Sequence, residues 1–168
     1  MALILDSTGL AKHPDGLMTK PVVEVMQGTA IAIVGMSATV YAIITDASGW
    51  TTLLQQQTSA QGGFTLGLVA GTVTVPRAMT VKVCYRLSGI TVIDGITRQF
   101  AVFGGSAGTT NKGGDSLGTD LTAMPSTYAG VTVFTAAAGD IISLKGIQSD
   151  AGTFTMASLG GTVTVEEV

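Results

Sequence analysis

Residues 79–89 alternate without a break. Met79, Val81, Val83, Tyr85 and Leu87 are apolar, and Thr80, Lys82, Cys84, Arg86 and Ser88 fall between them. Only an extended chain carries every second side chain to one face, so the run is a strand with one covered face. Similar β-rich runs recur at 30–34, 39–45, 64–69, 71–76, 131–135, 141–147, 153–159 and 162–168. Asp94 and Gly95 form a two-residue turn signal between 91–93 and 96–103, which predicts a hairpin. The three glutamines Gln55, Gln56 and Gln57 leave 50–57 open between strand and irregular chain. Residues 104–126, rich in Gly, Thr, Asp and Ser, read as the longest loop. No segment carries a helical period of more than a turn or two. Short strands at even spacing with glycine turns predict an all-β sandwich or barrel.

Charge then constrains what such a sandwich is for. Charged residues make up 11% of the chain, against about 25% in an ordinary soluble domain. Residues 25–45, 47–76 and 121–139 contain no charged residue at all. A free monomer needs a polar coat, so a chain this poor in charge is expected to cover much of its surface with other chains. The net charge is −3 and the 8 Lys and Arg do not cluster, which excludes the basic footprint of a nucleic-acid binder. Cys84 stands alone and forms no internal disulfide, in keeping with synthesis in a reducing compartment. The first six residues lack the positive region of a secretory signal. Thr29, Ser37, Thr39 and Tyr41, with Gly28 and Gly35, break up the uncharged 28–45 stretch, so no membrane span is expected there.

Residues 1–27 differ from the rest, with Lys12, His13, Pro14, Asp15, Gly16, Lys20 and Pro21 between short apolar runs. They are read either as a loose terminus or as an extended arm anchored on a neighbouring surface by Leu3, Ile4, Leu5, Leu10 and Leu17, with Leu3, Ile4 and Leu5 as the expected contacts, followed by one β domain over 28–168.

No catalytic constellation emerges. Gly104, Ser106 and Gly108 match the G-x-S-x-G spacing, but that chemistry needs a helix after the serine and an acid and a histidine downstream. His13 is the only histidine and lies upstream. Lys112 follows glycines without the spacing that wraps phosphates. Asp115 and Asp120 lie near glycines in a single copy, short of the converging oxygens that calcium requires. Asp140 reads as a turn residue, and Trp50 as a core or interface anchor. With one His and one Cys, a zinc site within the chain is excluded. Neither an enzyme nor a cofactor is expected.

The layout of residues 61–168 resembles the jelly-roll family shared by tumour necrosis factor and the globular head of complement. Gly71, Pro76 and Tyr85 follow the element that leads into that family's central strand, with departures at Met79, usually glycine, and Thr80, usually aromatic. Gly139 and Asp140 before an apolar strand, then 152–156 and 162–165, fit the family's C-terminal order. The resemblance implies a jelly-roll β-sandwich that forms a homotrimer around an apolar threefold axis, and Phe64, Leu66, Val81, Val83 and Tyr85 are expected at that interface. The same fold occurs among phage head decoration (cement) proteins and fibre tips. The expected role is therefore a virion structural protein, made in the host cytoplasm, whose arm (Leu3, Ile4, Leu5) contacts the major capsid protein. No nucleic-acid or membrane partner is expected. The main alternative is a receptor-binding fibre or spike tip that uses the 104–126 loop. A cupin-type enzyme is disfavoured by the lone histidine, and a major shell subunit by the short chain.

Overall fold

The computed structural model describes residues 4–5, 11–12, 22–27, 31–36, 42–43, 50–56, 64–67, 71–90, 96–119, 125–149 and 152–168. In chain order the strands are β1 (Ile4–Leu5), β2 (Ala11–Lys12), β3 (Val22–Gln27), β4 (Ile31–Met36), β5 (Ala42–Ile43), β6 (Trp50–Gln56) and β7 (Thr65–Gly67). They continue with β8 (Thr72–Thr74), β9 (Met79–Ile90), β10 (Thr97–Gly104), β11 (Thr110–Thr119), β12 (Pro125–Ala136), β13 (Ile141–Gln148) and β14 (Gly152–Glu167). Among the described residues every regular element is a strand, and no helix is long and apolar enough to cross a membrane.

Two six-stranded antiparallel sheets form the body. One runs β11-β10-β13-β8-β7, with β5 also on β13. The other runs β12-β9-β14-β3-β6, with β4 also on β14. From β8 onward the chain crosses between the sheets repeatedly, as a jelly-roll requires. The architecture is the all-β jelly-roll sandwich that the sequence predicts.

The period-2 pattern of β9 is realised residue by residue. Met79, Val81, Val83, Tyr85 and Leu87 are buried, and their even-numbered neighbours are not. They meet Phe100, Val102, Ile142 and Leu144 of the other sheet, with Val165 and Val23 beside them in their own. Burying a side chain of this size contributes roughly 1.5–3 kcal/mol, so this layer carries the fold. Pro76 ends the β8 segment as expected. Beside it, the Val75 amide donates to the Asp140 carbonyl (2.9 Å) and the Gly139 amide to the Val75 carbonyl (2.8 Å).

Several boundaries differ from the sequence reading. Residues 110–119, expected within a long loop, are β11, paired to β10 along its length. Glycine-rich sequence argues against a strand, but β11 lies on the sheet edge and needs little from its side chains. The expected strands 153–159 and 162–168 are one strand, β14, whose register on β9 shifts between Met156 and Gly161. Residues 50–57, left open, are strand β6. Of the expected 1–27 arm, Val22–Gln27 is β3, paired on both sides inside the second sheet, and Val23 is in the core. The 94–95 hairpin turn lies outside the described residues.

The sheets close on each other at β11 and β12. A Cβ on Gly130 would lie 2.1 Å from the Gly114 carbonyl oxygen and 2.6 Å from the Tyr85 ring. Backbone cannot yield as a flexible side-chain end can, so only glycine fits. Gly130→Ala is expected to destabilise the fold by about 3 kcal/mol or more, at the upper end of overpacking costs, read as a lowered urea midpoint at unchanged m-value.

Candidate functional site: the outer face of the second sheet

Pairing places the even-numbered residues of β9 on the face turned away from the core, with β12 on one side and β14 then β3 on the other. Thr135, Val133, Val131, Ala129 and Thr127 of β12 stand opposite Thr80, Lys82, Cys84, Arg86 and Ser88. Beyond β9, Glu166, Thr164 and Thr162 of β14 stand opposite Lys82, Cys84 and Arg86. Glu24 of β3 follows, opposite Thr164. The β12 side of this face is wholly uncharged. Val131 and Val133 are 57% and 56% exposed there, side by side on one face of a long strand.

The middle of the face is polar and partly paired. Lys82 Nζ donates to Glu166 Oε1 at 2.7 Å, and Arg77 binds Glu167 at 2.6 Å near the same end. The hydrogen bond to the Glu166 carboxylate, then the nearby Cys84, raise the Lys82 pKa above its ordinary 10.5. Cys84 is half-buried with a free thiol, beside Val131.

The interface residues expected from sequence sit elsewhere. Phe64, Val81, Val83 and Tyr85 are 2%, 0%, 1% and 4% exposed within the single chain, and Leu66 is half-buried against the same core. Phe64, Val81, Val83 and Tyr85 fill the space between the sheets and have no surface left for a second chain, while Leu66 keeps part of its surface. This corrects the assignment of Phe64, Val81, Val83 and Tyr85 to a subunit contact. The alternation marked two faces of β9, and the apolar one is consumed internally, which leaves the even-numbered face open. The signal for that face was the all-neutral series 127, 129, 131, 133 and 135. Of the expected arm contacts, Ile4 and Leu5 form β1, paired with Lys12 and Ala11 of β2, and Leu3 lies outside the described residues.

Tyr85 has a separate task. Its hydroxyl crosses the sandwich to the carbonyls of Gly114 (2.7 Å) and Phe100 (3.0 Å), where the β10–β11 ladder shifts register between Phe100 and Val102. Burial, then the nearby Asp115, push its pKa well above the ordinary 10.

The remaining candidates resolve into structure. Gly104, Ser106 and Gly108 turn the chain from β10 into β11. The Gly105 carbonyl accepts from the amides of Gly108 (2.9 Å) and Ile141 (3.0 Å). A strand thus stands where the nucleophile elbow needs a helix. Lys112 lies over the Phe134 ring at 5.4 Å. Asp115 Oδ1 accepts from Gln99 Nε2 at 3.0 Å, and Asp140 Oδ2 accepts from the Ala137 amide at 3.0 Å, holding its turn. No group of three His, Cys, Asp or Glu gathers among the described residues; His13 and Asp120 lie outside them. On the first sheet, a groove of about 210 Å³ is lined by Thr97, Gln99, Leu117, Ile147, Gln148 and Ser149. Leu117 in it is 69% exposed. Sequence reasoning missed the buried pair Arg98 and Gln148, each 2% exposed and joined Nε to Oε1 at 3.1 Å.

Because the folded-state pKa of Tyr85 is raised, its contribution is complete below about pH 10 and is lost as pH rises further. Tyr85→Phe is expected to cost about 1–3 kcal/mol at pH 7 by removing the donor that the Phe100 and Gly114 carbonyls share. The variant should also show a shallower loss of stability above pH 10. Urea unfolding at pH 7 and pH 10.5 checks both.

No protein-family profile matches the sequence, and no curated protein resembles it at significance. Solved structures do. Murine APRIL superposes with a TM-score of 0.64 at 12% identity, over 89% of this chain and 100% of that one. Eiger TNF from S. frugiperda gives 0.62 at 13% identity, over 89% of this chain and 94% of that one. The globular domain of the zebrafish complement 1qA protein gives 0.59 at 10% identity, over 89% and 98%. In fold, the chain is a jelly-roll of the kind shared by tumour necrosis factor and the complement globular head.

Proposed function

We propose that this chain is a virion structural protein, a decoration (cement) protein that binds a phage head as a homotrimer and stabilises it without chemistry. The observation that carries the assembly is the neutral β12 strip with Val131 and Val133 more than half exposed. Covering the exposed part of each contributes roughly 1 kcal/mol, and a contact repeated around a ring adds these terms several times over. The 11% charge content supports a chain whose surface is shared with neighbours. The segment before β3 supplies the arm, with Leu3, Ile4 and Leu5 toward the major capsid protein; β3 onward belongs to the sandwich. The protein then resides on the capsid surface after synthesis in the host cytoplasm. Fold likeness alone does not specify a function, so the reading rests on this face and this composition.

A receptor-binding tip is the second reading, favoured by one observation: the groove that exposes Leu117 among Thr97, Gln99 and Ser149. It lies on the other sheet from the assembly face. Glycan-array binding that Leu117→Asp abolishes would favour the tip.

Light scattering of the purified protein is expected to give three times 17.0 kDa, and Val131→Lys with Val133→Lys should reduce it to the monomer. Deleting residues 1–20, which leaves β3 whole, is expected to abolish sedimentation with heads while keeping the trimer. Loss of the trimer instead would refute this division of roles.

A further inference from the structure

Among the described residues the outer face of the second sheet carries four charges, and two of them neutralise each other in place as Lys82 and Glu166. The other two are Arg86, exposed, and Glu24, half-buried, and neither has an ion-pair partner among the described residues. Arg86 stands between Ala129 and Thr162, and Glu24 stands opposite Thr164. Two strand spacings and a two-residue offset separate their Cα atoms by roughly 12 Å. They form no ion pair with each other, yet both stand on the face that exposes Val131.

A patch with one free charge of each sign is complementary to a copy of itself. A partner of uniform sign would satisfy one residue and repel the other. In a head-to-tail contact each copy offers a different edge to the next, here the β9–β12 side to the β3 side of its neighbour. That places a guanidinium against a carboxylate at every repeat. We infer that Arg86 of one copy pairs with Glu24 of the next and sets the register of the assembly, an inference that rests on the assembly reading of this face. The apolar strip supplies area and tolerates sliding, whereas a charge pair between copies fixes alignment and penalises mismatched contacts.

The test is charge reversal on the full chain, read as mass against concentration by light scattering, with circular dichroism confirming an unchanged fold. Arg86→Glu and Glu24→Arg are each expected to weaken association at least roughly tenfold. The double variant R86E/E24R should restore most of it, and raised salt should weaken the parent but not an Arg86→Met, Glu24→Gln double variant. Single reversals that leave the mass unchanged, while Val131→Lys still dissociates the protein, would overturn the pairing and leave the assembly reading standing. So would reversals whose effects add in the double variant. If Val131→Lys also leaves the mass unchanged, the assembly face itself is refuted, and the pairing with it.

Discussion

The Tyr85 hydroxyl ties the two halves of this sandwich together. Tyr85 springs from the middle of the second sheet and ends on two carbonyls of the first, at the point where β10 and β11 fall out of step. A hydroxyl has a single proton, so the two carbonyls share it, the nearer being Gly114. Everything around that bond is arranged to permit it. Gly130, paired with Tyr85 in register, gives up its side chain so that the ring and the Gly114 carbonyl can approach. Gly114 itself adopts φ +71°, which sends its carbonyl toward the ring. The register shift that would weaken an isolated ladder becomes the anchor by which the sheets are held at their closed side.

This arrangement explains why part of the fold was legible and part was not. The alternation over 79–89 reports the difference between core and surface directly, and β9 forms as expected because its pattern leaves no other solution. β11 has no such pattern. Its residues include Gly113, Gly114 and Gly118, and it is a strand because β10 offers it a ladder and Tyr85 and Thr132 hold its carbonyls. Those contacts join distant segments and leave no local trace in sequence. The long run of β14 was likewise hidden by Gly160 and Gly161, which mark a register shift within a strand and read locally as its end.

The same distinction governs the candidate site. An apolar alternating face on a strand is equally consistent with a subunit interface and with an internal core. Sequence alone did not separate the two, and Val81, Val83 and Tyr85, expected at an interface, belong to the core. What distinguishes them is the opposite strand. In β12 the alternation places Tyr128 and Ala136 inside and leaves Val131 and Val133 outside, so valine there has no internal role. Apolar residues on the second face of a sheet whose first face is already filled are the informative ones.

The place of β14 in its sheet bears on how the chain is made. β3 and β9 never touch as partners; each is paired to β14, which follows both in chain order. While the ribosome works through the intervening segments, the second sheet exists only as two separate pieces, each with a bare inner edge. Val23 and Val83 are neighbours in one layer only through Val165, so neither can join the other before residues 152–167 exist. β14 is thus the keystone of the layer, since the β12–β9 and β3–β6 pairs are joined only through it among the described residues.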